Sequence, residues 1–471
     1  MRGQTETMAA PAEASRGTAS APRPLAPMPP GHWLLGHLKE RRRDPLRLFS
    51  ASQQLLGDVV RYRMGYIYVE QFSHPDQVRH VLVDARDIYV KGTIWNKVKP
   101  LVGNGLVTAE GQDWKRQRRL AQPVFQHGRL EPICMIMTEV IADVLEGWNA
   151  PSQGSKTIAL FSEMRKLTLT VVIRALFGTE LARQLPAVAG SFVTALEVIN
   201  RRIISPTPYL PWLYRVPTRD NRAFRRAVRY LNAVVEEIIR RRESTGEPGS
   251  TDLLALIMAA QVAEEKRISP ELLRDEIMTL LLAGFETSAT TMTWAICLLE
   301  RNPEAWARLV TEVDLALGGR TPQFDDLAAL PYTRAVIEET LRLRPAKWAI
   351  PRMATRVDEV RDFRVPRGDI VILVPYVTHR HPDFWVNPEQ FEPRRFLPES
   401  RTGIHRWAYF PFGAGQRKCL GMDFALMEGQ LTLAMIAQRY QLQSPDKLDV
   451  RPDPYVTLRP TGEVPMLVSA R

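Results

Sequence analysis

From Ile277 to Leu299 the chain reads IMTLLLAGFETSATTMTWAICLL, an apolar run long enough to cross a lipid bilayer as a helix. Glu286 sits at its centre, next to Gly284 and among several threonines. A carboxylate at the bilayer midplane would be costly against lipid, whereas a helix buried inside a large soluble protein can satisfy it. The expectation is therefore a long interior helix and no membrane span. Its ends are legible: Ser269 caps it, Pro270 suits its first turn, Glu271 complements its dipole, and Asn302–Pro303 stop it. At 1.5 Å per residue such a helix reaches roughly 45 Å, enough to form the floor or roof of a whole domain.

The rest of the chain reads as a setting for that helix. The 471 residues are 45% hydrophobic and 24% charged, an ordinary globular balance. VVRYRMGYIYVEQF alternates about Gly65 and predicts a β-hairpin. From about residue 112 to 345 the pattern is mostly helical, broken by loops such as ISPTPYLPWLY and RRESTGEPGS. Beyond Pro345, short β-like pieces such as VPRGDIVILVPY alternate with proline-rich turns, and a last helix follows Cys419. Residues 1–28 are rich in Ala, Pro, Ser and Thr, lack the apolar core of a signal peptide, and predict a disordered leader before one domain over 29–471. Glu6 and Glu13 weigh against a transit peptide, leaving the cytoplasm as the default compartment.

Charge and cysteine usage exclude other classes. Lys and Arg exceed Asp and Glu by 63 to 52, for a net charge of +11, but runs such as KERRRD and IIRRRES lack interleaved stacking aromatics. They read as solvated surface, so no nucleic acid is expected, and the excess suits an acidic protein partner. Cys134, Cys297 and Cys419 are too few and scattered for a disulfide framework. The closest histidine pair, His379 and His381, lies in a proline-bounded turn and makes zinc a poor expectation.

Cys419 differs from the other two cysteines, which read as small packed side chains. It lies in FPFGAGQRKCLG, where Gly413 and Gly415 permit sharp turns and an apolar helix begins just after the sulfur. Backbone N–H groups at that helix start, with Arg417 and Lys418, are expected to depress the thiol pKa and favour the metal-binding thiolate. The spacing F-x-x-G-x-R-x-C-x-G, filled by Phe412, Gly415, Arg417, Cys419 and Gly421, resembles that of the cytochrome P450 family, the haem-thiolate monooxygenases. The resemblance implies a mainly α fold with small β-sheets and a long central helix over the haem. It makes Cys419 the ligand of the metal in haem b (iron protoporphyrin IX), places Phe412 and Gly421 beside it, and pairs Arg417 with a propionate.

Three further stretches agree with it in chain order. AGFETS sets Ala283, Gly284, Glu286 and Thr287 midway along the long helix, where the resemblance implies oxygen binding. Thr287 is expected to hold activated oxygen and Glu286 to relay protons, as the catalytic pair, while glycine at 284 would permit close approach of haem and dioxygen. The local alternative is a threonine bonded back to its own helix and a glutamate in a structural ion pair. EETLRLRP gives Glu339 and Arg342, which with Arg395 of FEPRRF resemble a buried scaffold; Arg394 departs from the family's usual acidic residue. Trp114 and Arg118, four apart in GQDWKRQRRLAQPVF, and Arg352 in AIPRMATR are implied propionate ligands.

The resemblance implies that one atom of O2 enters a small apolar substrate, a terpenoid or polyketide-like product of secondary metabolism or a fatty acid. No dinucleotide fingerprint or cysteine cluster marks a fused reductase, so a separate acidic ferredoxin or flavodoxin-type donor with its reductase is expected, acting on a monomer. Peroxygenase or isomerase chemistry on the same fold, and a haem-binding sensor without turnover, are the alternatives. Substrate contacts are expected from residues 89–107, including Trp95 and Leu101, from Leu280 and Ala283, and from Ala346 to Ile350.

Overall fold

The computed structural model describes residues 23–148, 154–178, 184–204, 212–245, 252–263, 269–445 and 449–471. Most of the expected leader, and parts of the two loops expected near residues 204–214 and 241–250, lie outside the described residues.

The central helix runs Pro270–Glu300 with the ends its sequence predicts. The Ser269 hydroxyl accepts from the Leu272 amide at 3.3 Å, and Asn302 closes the far end by donating its side-chain amide to the Leu298 carbonyl at 2.7 Å. Buried residues such as Ile277, Met278, Thr279, Trp294 and Cys297 are spread around its circumference, the pattern of a helix enclosed on all sides. It packs most extensively on Leu160–Phe177, with Pro331–Leu343 and Met422–Arg439 also against it. Cys134 and Cys297 are buried in the same apolar core, and burial pushes their thiols up to about 11 and 12. Among the described residues no helix is long and apolar enough to cross a membrane.

A five-stranded sheet flanks the helices in the order Val59–Met64, Ile67–Phe72, Ile370–Leu373, Ile350–Ala354, Tyr89–Val90. The predicted hairpin forms its first two strands, paired Met64 to Ile67, with Gly65 at φ +69 in the turn. Ile67–Phe72 pairs parallel with Ile370–Leu373, which in turn pairs antiparallel with Ile350–Ala354. That last strand carries Arg352 towards the interior. The packed chain also begins earlier than the boundary expected at residues 28/29. The Pro24 and Pro27 carbonyls accept from Arg364 and Arg61 amides at 2.9 and 2.8 Å, and Ala26 is buried. Proline lacks an N–H but keeps its acceptor, so a proline-rich segment can still edge a sheet.

Candidate active site

The cysteine loop is pressed onto the backbone of an earlier segment. Gly415 has φ +66, and a Cβ there would lie 2.2 Å from the Leu82 carbonyl oxygen, so only glycine fits. The Cys419 amide donates to the Phe412 carbonyl at 2.9 Å, and Gly421 precedes the helix Met422–Arg439. Cys419 is unpaired, and its sulfur faces an interior cavity of about 830 Å³. Burial raises its pKa despite the Gly421 amide, Arg118, Lys347 and Lys418, which all pull it down. The expected depressed thiol is thus corrected: desolvation outweighs the nearby cations, and Arg417 is engaged elsewhere. A metal cation at the sulfur would supply the charge that favours the thiolate.

Every residue singled out for cofactor or catalysis lines this one cavity. On its rim, Arg417 Nη2 pairs with Glu110 Oε2 at 2.7 Å while its guanidinium stacks 4.3 Å above the Trp114 ring. Arg118 Nη1 donates to the Lys418 carbonyl at 2.7 Å, tying the helix Gly111–Ala121 to the cysteine loop. Burial lowers the Arg352 pKa to about 10, and Arg417 adds to it. Lys91, which the sequence reading missed, donates to the Val107 carbonyl and is pushed down to about 6 by burial, then by Arg417 and Arg352. Nothing but a lone lysine between Tyr89 and Trp95 could have marked it.

Lys91, Arg352 and Arg417 disfavour one another's charge, and the carboxylates acting on them are Glu110 and, at Lys91 alone, Glu276, too little to keep the Lys91 amine charged. That set is short of negative charge, and the two carboxylates of a haem would balance it while its iron met the Cys419 sulfur. The donor set fits the group.

In the same cavity, Ala283, Gly284, Glu286 and Thr287 are the part of the central helix that lines it around the AGFETS stretch. Here two local alternatives are realised. The Thr287 hydroxyl donates back to the Ala283 carbonyl at 2.6 Å, and the Glu286 carboxylate is gripped by Arg165, Nη2 to Oε2 at 3.0 Å and Nε to Oε2 at 3.2 Å. Arg165 is steadied by Phe161, 4.7 Å from its guanidinium carbon, and sequence reasoning did not find it. Gly284 also has a packing reason: a Cβ there would sit 2.8 Å from Val172 Cγ2. Trp95, Leu280 and Ala346–Ile350 line the cavity as expected, whereas Leu101 does not and is buried in the core.

Behind the cysteine loop lies the predicted scaffold. Arg342 meets Glu339 through two bonds of 2.7 Å, both side chains wholly buried, and Arg395 Nε approaches Glu339 at 3.6 Å. Arg342 also donates to the carbonyls of His379, Pro388 and Gln390. Arg394 points outward, 3.9 Å from Glu392.

The sequence profile described as Cytochrome P450 matches residues 26–464. The chain belongs to the cytochrome P450 family. It is 38% identical over 432 residues to cyclooctatin synthase of Streptomyces melanosporofaciens, covering 91% of this chain and 92% of that protein. It is 32% identical over 441 residues to pentalenene oxygenase of Streptomyces avermitilis, covering 93% and 96%. The crystal structure of the cytochrome P450DA heme domain superposes with a TM-score of 0.87 at 25% identity, over 96% of this chain and 98% of that one. This P450 is therefore a haem-thiolate monooxygenase that uses O2, an organic substrate and a redox partner.

Proposed function

We propose that this P450 inserts one atom of O2 into a terpenoid skeleton, with haem b held by Cys419 and electrons from a separate acidic ferredoxin or flavodoxin-type donor. In this reading it works as a cytoplasmic monomer, a single catalytic domain. The observation that carries it is one cavity lined by both Cys419 and Thr287 together with apolar residues such as Leu280, Ile350 and Phe412. Relatives named for cyclooctatin and pentalenene support the terpenoid class.

When bound, the haem supplies dioxygen activation at a thiolate-ligated iron. The protein's part is positioning and protons. Trp114, Arg118, Arg352, Arg417 and Lys91 hold the macrocycle's carboxylates; Phe412 shields the sulfur. Thr287 Oγ1 rests on the Ala283 carbonyl and can turn its proton towards the cavity. Glu286, fixed by Arg165, is the nearest carboxylate on that helix to resupply it. Trp95, Leu280 and Ile350 enclose the substrate and exclude water.

Titration of the ferric protein with cyclic terpenes should give a saturable low-spin to high-spin change. Turnover with a surrogate ferredoxin and reductase should then add one oxygen to the bound compound. Shifts with fatty acids alone would overturn the terpenoid class. A Cys419→Ser variant that keeps the thiolate-type carbon monoxide band would overturn the ligand assignment.

A further inference from the structure

Arg41, Lys97, Arg118 and Lys418 also line the cavity, but two other sets of basic residues differ most in their electrostatic setting. Lys91, Arg352 and Arg417 act on one another and share Glu110, the set that suits haem carboxylates. Lys347 stands apart: the charges acting on it are Cys419 and Glu286, with none of that cationic set.

Its backbone is anchored on both sides. The Ala346 carbonyl accepts from the Leu458 amide at 3.0 Å, and the Trp348 indole donates to the Tyr455 carbonyl at 2.7 Å. The side chain is thereby delivered to the cavity wall. Its ammonium has three N–H groups and makes one long bond, to the Val456 carbonyl at 3.4 Å. Glu286 is the only carboxylate among the described lining residues, and Arg165 already holds it. The residues that flank it in the chain and also line the cavity, Ala346, Trp348, Ala349 and Ile350, are apolar. Burial pushes the amine down to about 8, which still leaves it mostly protonated at neutral pH. A cation in this wall, whose neighbouring carboxylate is already held by Arg165 and whose neighbouring thiol belongs to the metal site, is costly unless a ligand brings a further anion.

We propose that Lys347 anchors the substrate: its ammonium binds a carboxylate carried by an otherwise apolar terpenoid, fixing which carbon faces the haem. This rests on the monooxygenase reading of the cavity. The salt bridge would form as the substrate enters, in a site where apolar walls strengthen it.

The test compares abietic and palmitic acids with their methyl esters in haem-loaded, full-length wild type, Lys347→Met and Lys347→Arg. Dissociation constants come from spin-state titration and, independently, from calorimetry. The acids should bind wild type about 10- to 100-fold more tightly than the esters, the value of a charged hydrogen bond. Lys347→Met should erase that preference by weakening the acids alone, and Lys347→Arg should keep part of it. Equal binding of acid and ester by wild type, no acid binding at all, or a preference that survives Lys347→Met would overturn the anchor. So would a nitrogen-ligated resting spectrum that Lys347→Met abolishes, since the amine would then belong to the iron. The thiolate-type carbon monoxide band in all three proteins separates the two readings. Its loss in wild type would sink the monooxygenase assignment, whereas its presence without acid preference sinks only the anchor.

Discussion

Two basic residues five positions apart, Arg342 wholly buried and Lys347 in the cavity wall, meet opposite demands. In the scaffold behind the cysteine loop, Arg342 spends its donors on Glu339 and on three carbonyls, and Arg395 adds a second cation to the same carboxylate. In the cavity wall, Lys347 has one long bond and apolar residues on either side of it in the chain. Where the protein supplies the partner, buried charge builds structure; where it withholds one, the charge is left for a ligand. The same contrast separates Cys297, sealed in the core, from Cys419, whose sulfur faces the cavity.

The sharpest way to break this comparison is Arg342→Met. Removing one member of a buried, fully bonded pair leaves Glu339 uncompensated and should cost about 3–5 kcal/mol, read as a fall in the denaturant midpoint of the haem-loaded protein. A loss under about 1 kcal/mol would mean the scaffold is not what holds this region together. Thr287→Ala tests the cavity side. It should leave stability nearly unchanged but reduce product formed per NAD(P)H roughly 100-fold, the low end of what a positioned proton donor contributes. Unchanged coupling would reduce Thr287 to its bond with Ala283. Gly284→Ala is smaller and purely steric. The new methyl meets Val172, should cost about 2 kcal/mol, and should be relieved by Val172→Ala in the same chain. Absence of that relief would return the glycine to the haem side of the helix.

How much of this was legible in the sequence follows from what each feature depends on. The central helix was readable to within two residues at each end because Ser269, Pro270 and Asn302 act locally through caps and stops. The hairpin about Gly65 was readable for the same reason. Arg165, Glu110 and Lys91 were not. Each reaches the site from a distant part of the chain, and no local spacing encodes a pair such as Arg165–Glu286, 121 residues apart. The Cys419 thiol was misjudged because the sequence displays the neighbouring cations but not the desolvation that overrides them. The contact of Gly284 with Val172 was not readable because a helix has several faces, and only packing shows which are crowded.

The gentlest test lies at the border of the two regions, in His379. Its ring is fully buried between the scaffold and the cysteine loop; Nε2 accepts from the Phe410 amide at 3.0 Å while its carbonyl serves Arg342. Burial, reinforced by Arg342 and Arg380, pushes its pKa down to about 3. The folded value lies below the unfolded one near 6.5, so the unfolded chain takes the proton first as pH falls. Stability from this residue is therefore complete above about pH 6.5 and is lost progressively as pH falls towards 3. At pH 5.5 the loss amounts to about 1.4 kcal/mol relative to pH 7.5. His379→Gln keeps an acceptor for the Phe410 amide but cannot take a proton. The difference in denaturant midpoint between wild type and this variant should accordingly narrow in favour of the variant from pH 7.5 to 5.5. A difference that stays constant across that range would mean the imidazole finds an acceptor for its second proton, and that the border between scaffold and cysteine loop is wetter than its burial indicates.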